Sequence, residues 1–183
     1  MQAWFLEPAK NELAVTLMTI TREAAFHEAG HAVAAYRSRF HNVIGPINLA
    51  DYGQGEIYVS LSKKKLATSG KSIDESAQSD QEVAIDLAVI LCSGLAAERL
   101  AEKNDAELMS NPACAERDHL LAAEKLRGAG LSEKCDLHEQ AATRLLENEW
   151  SLVTALAEHL LEKVSVDPDD VIAFIESRAG APQ

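Results

Sequence analysis

His27-Glu28-Ala29-Gly30-His31 combines residue types that can do chemistry together. On a helix, side chains four residues apart share a face, so the two imidazoles can aim at one point. Two nitrogen ligands suit a single Zn²⁺, and Glu28 beside them can take a proton from a metal-bound water. The implied chemistry is metal-assisted hydrolysis of an amide bond. The plainer reading is two structural histidines on an amphipathic helix, one solvated and one hydrogen-bonded in the core. The neighbours favour the metal. Ala24, Ala25, Ala29, Gly30, Ala32, Ala34 and Ala35 are small, so other elements can approach the histidines closely. A glycine inside a helix costs about 1 kcal/mol relative to alanine, which is understandable at Gly30 if close approach is required there.

A catalytic zinc takes three protein ligands and keeps one position for water. The third must come from elsewhere in the chain, and Asp86, Glu98, Asp105, Cys114, Glu116, Asp118, His119 and His138 are all candidates. Spacing does not choose among them. A short carboxylate on a helix packed against the motif helix would fit most tightly.

The elements that must position these residues read as mostly helical. The first twenty residues show no clear period. Thr21 can N-cap the motif helix, which should run to about Arg39. Segments 43–49 and 56–61 are β-branched and aromatic, and read as two short strands joined through 51–55. Residues 62–80 are rich in Ser, Lys and Gly and read as a mobile loop, with Lys63-Lys64-Lys65 solvated. From Gln81 onward the chain is helical: an apolar, buried stretch over 83–103, then a helix opened by Pro112 and ended at Gly128-Ala129-Gly130. A long amphipathic stretch over 132–164 follows, with Leu137, Ala141, Leu145, Leu146, Leu152, Leu156 and Leu160 as its core stripe. Asp167-Pro168 starts a last helix through Glu176. The expected fold is mainly α (α+β), with a small β-sheet or hairpin near the motif helix. It forms one domain over 21–178, followed by a short tail.

Composition sets bounds on partners. The chain has 183 residues, 47% of them hydrophobic, and a net charge of −12. That charge disfavours nucleic acid and anionic membrane surfaces. Cys92, Cys114 and Cys135 form no CxxC pair and no disulfide framework, which suits a reducing compartment. Neither a signal peptide nor an 18-residue apolar run is evident, so the expected location is cytoplasmic, without membrane insertion.

Several segments together carry a resemblance. Phe26-His27-Glu28-Ala29-Gly30-His31-Ala32-Val33 resembles the His-Glu-Ala-Gly-His-Ala signature of the FtsH-type zinc metallopeptidases. Ser93-Gly94-Leu95-Ala96-Ala97-Glu98-Arg99-Leu100 is similar to that family's Gly-Gly-Arg-Ala-Ala-Glu-Glu segment. Arg117-Asp118-His119-Leu120-Leu121-Ala122-Ala123 resembles its Asn-Asp-(apolar)-x-x-Ala-Thr helix, and Gly130-Leu131-Ser132-Glu133-Lys134 echoes its Gly-Met-Ser-Glu-Lys turn. The resemblance spans about residues 20–178, the peptidase domain.

It implies that His27, His31 and Asp118 bind Zn²⁺ and that Glu28 is the general base; Cys114, one turn before Asp118, is the runner-up ligand. It also implies a substrate-binding strand near Gly55, Glu56, Ile57 and Tyr58, to which a peptide could add by main-chain hydrogen bonds. Arg117 stands where the family has Asn, and Asn111-Pro112-Ala113-Cys114 replaces its Thr-Thr-Gly-Ala-like run. No P-loop, AAA ATPase segment or transmembrane segment is recognisable. The expected activity is therefore ATP-independent hydrolysis of peptides or unfolded proteins. The alternative is a peptidase-fold regulatory or interaction module that keeps the metal without turnover. A homo-oligomer and a separate ATPase partner are both compatible with the resemblance.

Overall fold

The computed structural model describes residues 10–49 and 59–179. The chain is mainly helical with a small antiparallel β part, the expected fold class. Its helices are α1 (Lys10–Arg37), α2 (Lys63–Thr68), α3 (Gln81–Asn104), α4 (Glu116–Gly128), α5 (Asp136–Asn148), α6 (Trp150–Lys163) and α7 (Pro168–Ala179). Among the described residues the short strands are β1 (His41–Val43), β2 (Ile47–Asn48), β3 (Val59–Leu61) and β4 (Ser165–Val166).

Helix α3 is the hub. Its buried residues run from Val83 to Ala101 and lie all around the helix, the pattern of an element covered on every side. Asp80 caps its start by accepting from the backbone N–H groups of Glu82 and Val83. Helices α1, α4 and α5 pack around it, and α6 closes over α1. The small residues of α1 serve this packing. A Cβ on Gly30 would lie 2.7 Å from Cβ of Ala97 and would press on the carbonyl oxygen of Ser93. The glycine is what lets α1 and α3 meet backbone to backbone at the level of the motif.

Several expectations are corrected. Thr21 does not cap the motif helix, because α1 is continuous from Lys10. Segment 43–49 is not one strand. Pro46 has no N–H to donate to a ladder, and the chain divides around Gly45-Pro46. On one side β1 pairs with β3, with Asn42 opposite Ser60; on the other β2 pairs with β4, with Ile47 opposite Val166. The second pairing depends on Val164, which ends α6 at φ 65° and turns the chain back so that its carbonyl accepts from Leu49 N–H at 2.9 Å.

The stretch 62–80 is packed rather than a loose loop. It holds α2 and a 3-10 turn at Glu75–Ser79, and buries Leu66 and Ala77 against Phe40 and Val83. Ser62 caps α2 through Lys65 N–H. Lys65 itself is not simply solvated: its Nζ donates to the carbonyls of Ala35, Tyr36 and His41 at 3.1, 3.3 and 2.6 Å. Two of these are end carbonyls of α1, which have no partner within their own helix.

Farther along, α4 begins at Glu116 rather than Pro112, and the 132–164 stretch is two helices broken at Glu149. Leu146, Leu152, Leu156 and Leu160 of the expected stripe are buried, whereas Leu137, at the start of α5, is exposed. Residues 55–58, the expected substrate strand, lie outside the described residues. Among the described residues no helix is long and apolar enough to cross a membrane.

Candidate metal centre

Three elements meet at one point. His27 and His31 occupy successive turns of one face of α1, both nearly fully buried. Asp118 comes from the first turn of α4, where the helix dipole favours a carboxylate. It is aimed inward because Ala122 and Leu126, on the same face of α4, pack on Ala88 and Leu91 of α3. Gly94 of α3 forms the floor. The absence of a side chain there leaves room for the imidazoles, because a Cβ would lie 2.5 Å from His27 Nε2 and 2.6 Å from His31 Nε2.

The donor atoms form a tight triangle. His27 Nε2 lies 3.0 Å from His31 Nε2, and Asp118 Oδ2 lies 3.2 and 3.3 Å from the two nitrogens. Tetrahedral zinc with bonds of about 2.0–2.1 Å sets its ligand atoms about 3.3 Å apart, so the triangle has the size of one face of that polyhedron. Among the described residues this is the single group of His, Cys, Asp and Glu ligand atoms close enough to hold a metal ion.

The protons make the same point. His31 Nδ1 lies 2.7 Å from the Ile90 carbonyl oxygen, which can only accept, so Nδ1 carries the hydrogen. His27 Nδ1 lies 2.6 Å from Glu98 Oε1 and donates to it. In the neutral rings both Nε2 atoms are therefore lone pairs, facing each other and an anionic oxygen. Three acceptors converging in a buried site need a cation among them. The titration of the residues expresses this need. Burial alone pulls the His27 pKa down, but Asp118 and Glu98, with a smaller push from the Glu28 charge, raise it to about 10. Burial pushes Asp118 up, and the hydrogen bonds and charges of the two histidines outweigh it, holding the carboxyl well below the usual range. The site is built for positive charge, and two nitrogens with one carboxylate are a donor set that zinc accepts.

The other ligand candidates are placed elsewhere. Glu98 serves the far nitrogen of His27 and is completely buried, its second oxygen accepting from Asn111 N–H at 2.7 Å. Asp86 bonds His41 Nδ1, Asp105 pairs with Arg22, and His119 faces Glu139 at 3.6 Å. Cys114 accepts from Asn111 Nδ2, Glu116 is exposed and His138 is half-buried. None of them joins the triangle. Glu28 sits half-buried on α1, close enough for its charge to act on His27.

Sequence reading counted Glu98 as a possible ligand and gave no role to Gly94 or the Ile90 carbonyl. The signal for Gly94 was present, since a glycine inside an apolar helix needs a reason. Nothing in the sequence distinguishes a carboxylate that binds a metal from one that orients a ligand. Glu98→Gln is expected to keep the fold and weaken zinc binding about 10–100-fold, measured by competition with a chromophoric chelator. Unchanged affinity would remove Glu98 from the site.

No protein-family model matches this chain, and comparison with curated proteins finds no match.

Proposed function

We propose that the chain is a zinc-dependent metallopeptidase domain of the FtsH type that hydrolyses bonds in peptides or unfolded proteins without ATP. The observation that carries this reading is the convergence of three buried acceptor atoms, His27 Nε2, His31 Nε2 and Asp118 Oδ2, beside the Glu28 carboxylate. A structural histidine pair would be satisfied by protein donors; in this pair the Nε2 atoms of both rings face one carboxylate oxygen.

In this reading His27, His31 and Asp118 hold the ion. Glu98 and the Ile90 carbonyl fix the two rings through their Nδ1 hydrogens, so that both Nε2 lone pairs stay aimed inward. A bound zinc ion would act as a Lewis acid toward the scissile carbonyl and lower the pKa of the attacking water. Glu28 accepts a proton from that water at its carboxylate as oxygen attacks the carbonyl carbon. It then delivers the proton to the amide nitrogen as the C–N bond breaks, leaving a carboxylic acid and an amine. The expected substrates are flexible, because an active site between helices can act on an extended chain but has no means of unfolding one.

The test is elemental analysis joined to a peptide-cleavage assay on wild type and Asp118→Ala. Wild type should carry about one zinc per chain and cleave unfolded casein or flexible peptides. Asp118→Ala should lose most of its zinc and its activity, because two ligands remain and a catalytic site uses three. A wild-type chain that binds no transition metal would refute the reading. A zinc-bound wild type without cleavage would leave a metal-keeping regulatory module.

A further inference from the structure

Two of the three cysteines meet in the core. Cys92 on α3 is completely buried, on the helix face that also carries Ala88, Leu91 and Leu95. Cys135, the residue that opens α5, is half-buried. It packs on both hydrophobic clusters that share this face, the one containing Cys92 and the one formed by Ala88, Leu91, Ala122 and Leu126. The Cys92 S–H donates to the Cys135 sulfur. That sulfur also lies 3.9 Å from the His119 carbonyl oxygen, so the pair sits where α3, α4 and α5 adjoin. Cys114 is elsewhere, beside Asn111.

The inner thiol is reachable. A cavity of 430 Å³ between α3 and α5 is lined by Cys92, Leu95 and Arg99 on one side and by Asp136, Glu139 and Thr143 on the other. It has room for a molecule little larger than water, such as hydrogen peroxide.

We propose that Cys92 and Cys135 are a redox pair that a hydroperoxide closes into a disulfide, tying α3 to the start of α5 around the segment that carries Asp118. The Cys135 thiolate attacks a peroxide oxygen. An S–O bond forms, the O–O bond breaks, and the departing oxygen leaves as water or an alcohol once it has taken a proton. Cys92 then attacks the Cys135 sulfur of the resulting sulfenic acid. The S–S bond forms, the S–O bond breaks, and hydroxide departs as water with the proton that Cys92 gives up. Two thiols lose two electrons in all, and the peroxide gains them.

Exposure assigns the roles. Cys135 is met first, and Cys92, which burial keeps protonated, holds the proton that the leaving hydroxide needs. Burial, opposed by the hydrogen bond from Cys92 and reinforced by the Glu139 and Asp136 charges, also holds the Cys135 thiol above its ordinary pKa. Closure is therefore slow, an answer to sustained oxidant rather than to a trace.

The bond would close a covalent loop over residues 92–135, which contains Gly94, Glu98 and all of α4. Without metal, Asp118 is kept opposite the histidines by the packing of Ala122 and Leu126 on Ala88 and Leu91. A cross-link restricts the unfolded chain, so the metal-free fold has the most to gain from it. None of this rests on the peptidase reading.

The test treats the full-length, metal-free chain with hydrogen peroxide. Thiols titrated in denaturant should fall from three to one, the mass of the chain should fall by two hydrogens, and a digest should join the peptides that hold Cys92 and Cys135. A dithiol reductant should restore all three thiols. The melting temperature of the oxidised chain should exceed that of the reduced chain by about 5–15 °C. Cys114→Ser should keep the bond and the shift, and Cys135→Ser should abolish both. Cys135 is only half-buried, so its variant remains informative if Cys92→Ser does not fold. Three thiols retained, a bond through Cys114, a cross-link between chains, or Cys135 carried to sulfinic acid beside an unreacted Cys92 would overturn the proposal. So would a Cys92–Cys135 bond that leaves the melting temperature unchanged.

Discussion

Glu28→Gln is expected to retain zinc at wild-type stoichiometry while losing peptide hydrolysis by about 10²–10⁴-fold, the range that a positioned proton-transfer group contributes. The two halves of this result have separate causes. Metal is retained because the donor triangle is complete without Glu28: its atoms come from His27, His31 and Asp118, and its orienting groups are Glu98 and the Ile90 carbonyl. Activity is lost because glutamine keeps the shape and polarity of the side chain but has no carboxylate to take a proton. The loss should fall on kcat more than on KM, since substrate contacts are unchanged. Elemental analysis and steady-state kinetics on one preparation separate the two halves. Zinc retained with undiminished kcat would remove Glu28 from the mechanism, and zinc lost would make it a ligand.

How much of this was legible in the sequence depends on range. The motif helix could be read because its signal is local. His27 and His31 are four residues apart, and a helix converts that spacing into a shared face. Asp118 could be reached only through family resemblance, because its contacts with His27 and His31 span 91 and 87 residues and leave no spacing to read. The same limit hid the division of labour between Glu98 and Asp118. Both are buried acids on helices packed near α1, and only the three-dimensional arrangement sends one to Nδ1 and the other to Nε2 of the same ring.

The strands failed for another reason. β2 and β4 are two residues long, too short for any alternation to appear, and their pairing joins positions more than a hundred residues apart. The 62–80 stretch misled because its polarity is real. Two buried side chains, Leu66 and Ala77, and the bonds of one lysine to three carbonyls are enough to fix it. His41 went unread because an isolated histidine has no pattern. Its partner Asp86 is 45 residues away.

The largest structural effect is expected at Gly94, a residue with no side chain to contribute. Gly94→Ala should abolish zinc binding at micromolar metal and lower the stability of the fold. The added Cβ would lie 2.5 Å from both Cε1 and Nε2 of His27 and 2.6 Å from Nε2 of His31, in the space between the donor atoms. Flexible side chains often relieve such a contact by turning aside. These two cannot do so cheaply, because turning His27 breaks its bond to the buried Glu98 and turning His31 breaks its bond to the Ile90 carbonyl. Either the buried Glu98 loses the imidazole hydrogen at its Oε1 or α3 moves away from α1. The second route is resisted by the contact of Gly30 with Ser93 and Ala97 one turn along. Overpacking of this kind costs about 1–3 kcal/mol, before the loss of the metal is counted. Gly128→Ala supplies the control. No atom lies within 4 Å of its added Cβ, so this substitution in the last turn of α4 should leave zinc affinity unchanged. Isothermal titration with zinc and thermal melts of the two variants, with and without metal, distinguish the outcomes. Wild-type zinc affinity in Gly94→Ala would mean that the two imidazoles do not meet over this helix as the geometry requires.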